Sequence, residues 1–286
     1  MNIAVLSDIH GNHVALKTCL DYLKDKEIDT YCFLGDYTGE FPGIEQSMQM
    51  LYELKENNNC VFIRGNKENY LLSDLGKEYP EWDEYPSTVG IMRYANKHLT
   101  NKDLEFFNSL PITTTLKNEG MPDIIICHGS PRKVSEKFAR DEKALKEVVE
   151  AAEAKYIVCG HTHRIMEKKY EDTYIWNPGA VGASVELPYS YRFMIIHSDN
   201  GEWKPEFVSL DPDVDKILTE MKESELYEIA PYWTKFTELM VMGACGKYTH
   251  GGFLTRAMDI CFEKNGECNW PKIPEECYAE ALSDMP

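Results

Sequence analysis

Ile3-Ala4-Val5-Leu6-Ser7-Asp8-Ile9-His10-Gly11-Asn12 is the stretch that decides the fold. Its first four residues form an apolar run, closed by polar residues and a glycine, which reads as a short buried strand. Residues 14–24 follow with Leu16, Leu20 and Leu23 on one face of a helix. The same unit recurs along the chain. Tyr31-Cys32-Phe33-Leu34 leads into Gly35-Asp36, and Val61-Phe62-Ile63 leads into Gly65-Asn66. Ile124-Ile125-Ile126 leads into Cys127-His128-Gly129, and Tyr156-Ile157-Val158 leads into Gly160-His161-Thr162-His163. A polar residue just past a buried strand sits on a loop held by a rigid scaffold, where α/β proteins build sites.

Working outward, the first part alternates strand and helix. A turn-rich loop, Thr38-Gly39-Glu40-Phe41-Pro42-Gly43, precedes a helix over residues 44–55, and another helix runs through Glu68, Tyr70 and Leu71. This rhythm predicts parallel strands with crossover helices. Residues 73–110 hold no strong strand. Pro80 and Pro86 break them, Thr100 N-caps residues 103–110, and short helices are expected to cap the site region. Strands are expected at 112–116, 124–126, 156–158, 173–176, 192–196 and 203–208, with a helix at 141–154. The pattern predicts an α/β fold of two sheets packed face to face with helices outside. From Asp211 strand signals vanish, and residues 215–230, 232–242, 252–264 and 275–282 read as helices. The chain is therefore divided into a unit over 1–210 and a helical appendage over 211–286.

Composition excludes several classes. With 286 residues, 43% of them hydrophobic, one large or two modest domains are expected. The net charge of -18 argues against a nucleic-acid polymer as partner, but not against a small phosphorylated substrate. Nine cysteines, with no Cys-x-x-Cys pair, and several inside predicted strands, fit reduced usage and small core residues rather than a disulfide framework. The first strand follows without a basic or apolar lead-in, so no secretory leader is expected, and no run approaches a membrane span. A cytoplasmic protein is expected. The apolar residues of the tail allow a homodimer.

Five strand ends that converge would gather carboxylate, imidazole and amide donors. That mixture suits two divalent metals and hydrolysis of a phosphate ester. Such a site needs ions about 3.5–4 Å apart and an open position for a water whose pKa falls toward about 7. Each residue alone has a plainer reading: an Asp or Asn after a strand commonly caps a helix. It is their co-occurrence that points to a site.

Ser7-Asp8-Ile9-His10-Gly11-Asn12, Leu34-Gly35-Asp36, Arg64-Gly65-Asn66, His128-Gly129-Ser130-Pro131, Gly160-His161-Thr162-His163 and Asn177-Pro178-Gly179-Ala180-Val181-Gly182 occur in that order. In this the chain resembles the calcineurin-like metallophosphoesterases, and in particular their bacterial phosphodiesterase-like branch. The resemblance covers residues 7 to 182. It implies a four-layer αββα sandwich of two mixed sheets. It also implies that Asp8, His10 and His163 hold a first metal, that Asn66, His128 and His161 hold a second, and that Asp36 bridges them. Manganese, iron, zinc and nickel are the family's usual ions, with manganese taken first. Asp36, Asn66, His128 and Lys67 are the candidate catalytic residues. One departure stands out. Many members carry a histidine after the third-motif asparagine, where it contacts phosphate and is thought to protonate the leaving group. Here the motif is Gly65-Asn66-Lys67-Glu68. Lysine is a poor general acid unless its pKa is strongly lowered. Phosphodiesters or activated leaving groups are therefore favoured.

Substrate contacts are expected from Asn12, Lys67, Arg132 and Arg164, the arginines through phosphate or nucleotide oxygens. His13 reads as a surface residue. Tyr37, Phe41 and Trp82 are the aromatics placed to stack a base, though such residues more often pack. His98, His197 and His250 read as structural or solvated, and Asn177-Pro178-Gly179 as a turn. The expected function is hydrolysis of a small phosphodiester or phosphomonoester, nucleotide-derived ones included, by a hydroxide shared between two metals. The alternatives are a phosphoprotein phosphatase, a dinucleoside polyphosphate hydrolase, and a metal-bound scaffold that binds a partner protein through its helical tail.

Overall fold

The computed structural model describes residues 1–73 and 84–285. In chain order the elements begin β1 (Asn2–Leu6), α1 (His13–Lys24), β2 (Thr30–Phe33), α2 (Ile44–Asn57), β3 (Cys60–Phe62), α3 (Asn66–Leu72), α4 (Pro86–His98) and α5 (Asn101–Ser109). Next come β4 (Thr113–Leu116), β5 (Ile124–Cys127), α6 (Glu142–Ala152), β6 (Tyr156–Val158), β7 (Ile165–Tyr170), β8 (Thr173–Pro178), β9 (Tyr191–Asp199) and β10 (Glu202–Leu210). The tail contributes α7 (Val214–Glu223), α8 (Leu226–Ile229), α9 (Pro231–Val241), α10 (His250–Asn265) and α11 (Glu275–Ser283).

Two mixed five-stranded sheets stack face to face. Their strand orders are β10-β9-β1-β2-β3 and β4-β5-β6-β8-β7. The first three strands run parallel, as the strand–helix alternation predicts, and β9 closes antiparallel on β1. Alternation within a strand explains the layers. Ile3 and Val5 face the opposing sheet with Cys32, Leu34, Ile124, Val158 and Trp176. Ala4 and Leu6 face a helical layer with Leu16, Cys19 and Leu23 of α1. On the far side Leu145, Val148 and Val149 of α6 cover Ile157 and Ile175. The inner strands β1, β2, β5, β6 and β8 are therefore buried on both faces, which is why they read as near-continuous apolar runs.

Two sequence expectations are corrected. β7 gave no strand signal, because Ile165-Met166-Glu167-Lys168-Lys169-Tyr170 is an edge strand, half-covered and rich in charge. The helix expected over 215–230 is two helices, α7 and α8. Ser224 ends the first, and its hydroxyl accepts from the Leu226 N–H at 3.3 Å. Strands end at Leu210 and the described chain beyond is helical. Across the expected 210/211 boundary, Phe236, Met240, Phe253 and Tyr278 share one apolar cluster with Leu16, Phe33 and Phe193 of the sandwich layer. Among the described residues no helix is long and apolar enough to cross a membrane.

Candidate metal centre

The loops leaving β1, β2, β3, β5 and β6 meet at one end of the sandwich. Backbone bonds lace them together: Asp8 N–H donates to Gly35 O at 3.2 Å, His10 N–H to Asp36 O at 3.0 Å, and Gly160 N–H to His128 O at 2.7 Å. Glu68 at the start of α3 is buried and accepts from the N–H groups of Asp36, Tyr37 and Gly65 at 2.9, 2.8 and 2.8 Å. It thus ties the Asp36 loop to the Asn66 loop. Asp8, His10, Asp36, His161 and His163 all hold φ between 53° and 65°. Non-glycine residues at positive φ each cost on the order of 1–3 kcal/mol and cluster at functional sites. Five of the seven expected ligands share this conformation.

The imidazoles are oriented from behind. His10 Nδ1 lies 2.5 Å from Glu40 Oε2, and neither atom has another partner. His128 Nδ1–H donates to Leu34 O and His163 Nδ1–H to Ala183 O, both at 2.7 Å. A carbonyl only accepts, so these two rings carry their proton on Nδ1 and present Nε2 to the centre. The Nε2 atoms converge on Asp8 Oδ1, a buried oxygen without a hydrogen-bond donor, at 3.6 Å (His10), 3.9 Å (His128) and 3.1 Å (His163). His10 and His163 Nε2 are 3.2 Å apart. Asp36 faces two ways: Oδ2 lies 3.7 Å from His10 Nε2, and Oδ1 lies 3.5 Å from His128 Nε2. Asn66 Oδ1 is 3.2 Å from the same His128 nitrogen. Ligand atoms of Asp8, His10, Asp36 and His163 fall within 4.8 Å of one another.

An ion fits this set. Donors bound at about 2.0–2.2 Å to a common centre lie roughly 3–4 Å apart, as these do. The unpartnered Asp8 Oδ1 needs a positive partner, and metal-bound histidines as a rule donate their other ring N–H to a carboxylate or carbonyl, as His128 and His163 do here. No thiolate joins the group, which leaves harder and borderline ions eligible. Burial and the neighbouring His128 push His161 down to about 4, so it is a neutral imidazole at physiological pH.

The centre opens into a cleft of about 400 Å³. His10, Asp36, Glu40, Asn66, Lys67, His161, His163 and Arg164 line it, with Lys137, Arg140, Val185, Trp233, Lys247 and His250. Not every expected contact is there. Asn12 caps α1 by accepting from Ala15 N–H, and its amide donates to Gly182 O and Tyr189 Oη. Arg132 is exposed and paired with Glu136 and Glu147. His13 sits 3.4 Å from Glu220, away from the cleft. Tyr37 and Phe41 are fully buried packing residues, while Trp82 lies outside the described residues. Asn177 donates to Gly160 O at 2.6 Å and so steadies the Gly160–His163 turn. Sequence reasoning missed Glu40, Glu68 and the tail residues Trp233, Lys247 and His250. None carries a local signal, because each reaches the site through tertiary packing.

Comparison with known proteins agrees with this architecture. The family model described as the calcineurin-like phosphoesterase superfamily domain matches residues 1–201. The chain belongs to that superfamily. It is 25% identical over 243 residues to the uncharacterised protein MJ0912 of Methanocaldococcus jannaschii, covering 79% of this chain and 94% of that one. The hypothetical protein PH1004 of Pyrococcus horikoshii has a similar fold, with a TM-score of 0.70 at 21% identity over 82% of this chain and 97% of that one. A metallophosphoesterase of Sphaerobacter thermophilus gives 0.64 at 19% over 83% and 100%.

Proposed function

We propose that the chain is a dinuclear-metal phosphoesterase that hydrolyses a small phosphodiester or phosphomonoester. One observation carries this reading: Asp36 turns one oxygen toward His10 and the other toward His128, while Asp8 Oδ1 lies unpartnered among three Nε2 atoms. In the proposal Asp8, His10 and His163 hold one ion, Asn66, His128 and His161 hold the other, and Asp36 lies between. When bound, two divalent ions supply Lewis-acid charge and activation of a water near neutral pH. Manganese is the first ion to try among manganese, iron, zinc and nickel, since this donor set accepts all four.

The chain's own residues set the rest. Lys67 Nζ lies 2.7 Å from Glu40 Oε1. Burial works against its charge, but Glu40 and Asp36 raise its pKa above the usual lysine value. Lys67 therefore stays cationic and serves to grip a phosphoryl oxygen rather than to donate a proton. Arg164 lines the same cleft and offers a planar guanidinium to phosphate. With no strong proton donor at the third motif, diesters and esters with acidic leaving groups are favoured over serine phosphates. Nucleotide-derived diesters belong to that class.

The test is hydrolysis of bis-(p-nitrophenyl) phosphate beside p-nitrophenyl phosphate, using chelated protein given manganese, with Asp36→Asn as control. Diester turnover that returns with manganese and is lost in the control is expected. Equal turnover by Asp36→Asn would overturn the assignment of the centre.

A further inference from the structure

We infer that the cleft holds a second phosphate-binding subsite and that the substrate is a small molecule with a second phosphate beside the scissile one. This inference rests on the phosphoesterase reading for the scissile end only. The subsite consists of Lys137, Arg140, Arg164 and Lys247, which line the same cleft as the metal-ligand candidates. They come from three separate parts of the chain: the segment between β5 and α6, the turn after β6, and the connection from α9 to α10. The fold therefore brings them together; local sequence does not.

Other basic residues, Lys117, Lys222 and Lys272 among them, also lack a carboxylate partner among the described residues; what sets these four apart is that they line one cavity. The sequence holds 48 Asp and Glu against 30 Lys and Arg, so carboxylates outnumber basic side chains. Arg132, Arg192 and Arg256 each pair with one, as does Lys67 inside the cleft. Among the described residues none of the four subsite cations makes an ion pair with a carboxylate. Four unpaired cations around one cavity, in a chain of net charge -18, focus an attractive field where the rest of the surface repels anions. Trp233 also lines this cleft. Two arginines and two lysines match the near-double charge of a phosphate monoester better than a single carboxylate. The cleft volume, about 400 Å³, suits a metabolite-sized molecule rather than a folded phosphoprotein segment.

The experiment uses the full-length, manganese-loaded protein and two probes, adenosine 3′,5′-bisphosphate and adenosine 5′-monophosphate. Their dissociation constants are measured by calorimetry, and their inhibition constants against bis-(p-nitrophenyl) phosphate are measured alongside. The bisphosphate is expected to bind about tenfold tighter or better, the effect of one or two charge-assisted contacts. In the double variant Lys137→Gln/Arg140→Gln that preference should collapse toward unity. Lys17→Gln, which removes a distant surface charge, should retain it. Both replaced cleft residues are exposed, so folding is not at stake. Equal binding of the two probes by the unaltered protein, or an undiminished preference in the double variant, overturns the inference. A preserved preference with no turnover of any ester supports the subsite and counts against the phosphoesterase reading instead.

Discussion

Glu40 touches both His10 and Lys67, yet nothing in the sequence distinguishes it from any acidic residue in a turn. Its position four residues after Asp36 matters only because the loop folds back over the centre. Replacing it with glutamine keeps the shape and removes the charge behind His10. Outer-sphere carboxylates of this kind are worth about 10–100-fold in metal affinity. Glu40→Gln is expected to weaken manganese binding by that factor, read by calorimetry on chelated protein; unchanged affinity would mean that Glu40 serves Lys67 alone. The sequence reads His250 as structural or solvated; it is a buried residue of the cleft wall, stacked on Trp233, with Nε2 2.8 Å from Thr237 Oγ1. Burial drives its pKa down to about 3, Lys67, His163 and His10 push the same way, and Glu40 opposes them. A base with a folded pKa below its unfolded value of about 6.5 costs stability as the unfolded chain takes up the proton. That cost begins near pH 6.5 and grows toward pH 3, by up to about 1.4 kcal/mol per pH unit. His250→Phe, which keeps the aromatic packing, should flatten the fall of Tm between pH 6.5 and 4.5. An unaltered slope would place the acid sensitivity elsewhere.

At the scale of the element, the strand ends explain why the candidate ligands are legible in the sequence. Each of β1, β2, β3, β5 and β6 is a short apolar run, and each hands its next polar residues to the same end of the sandwich. Period and punctuation suffice to find such strands. They do not find an edge strand such as β7, whose partner covers only one side, nor the break at Ser224, which depends on a local hydroxyl bond. Glu68 belongs to this scale, because it joins two of the loops. Its carboxylate accepts from three buried backbone N–H groups that have no other acceptor. Hydrogen bonds to a charged group contribute about 1.5–3 kcal/mol each in favourable cases, and they are not additive. Glu68→Ala is expected to lower stability by about 3–5 kcal/mol and to loosen metal binding, because it unties the Asp36 and Asn66 loops together. Urea denaturation with and without manganese separates the two effects. A variant that melts like the parent would show that the strand ends hold their loops without Glu68.

At the scale of the whole molecule the tail was legible as helix but not as part of the site. Its helices have ordinary amphipathic spacing, which says that they pack without saying on what. The structure places α4 at the joint. Ser87 donates its N–H and hydroxyl to Glu275 at 2.9 and 2.7 Å, and Thr88 meets Tyr278 Oη at 3.0 Å. Gly90 passes so close to α8 that an added Cβ would lie 2.0 Å from Ile229 O. Tyr191 Oη of β9 accepts from Asp213 N–H at 3.0 Å, fixing the point where the tail departs. Removing everything after Leu210 would strip cover from this layer and delete one wall of the cleft. We therefore propose that residues 211–286 are a cap completed with the sandwich rather than a module beside it. A chain ending at Leu210 is expected to aggregate or to lose cooperative melting, because a contiguous apolar face beyond a few hundred Å² is rarely left exposed by a soluble monomer. Size-exclusion chromatography with circular dichroism reads both. A monomer that melts cooperatively at the parent temperature would make the tail dispensable to the fold, and Lys247 and His250 would then belong to an independently folding lid.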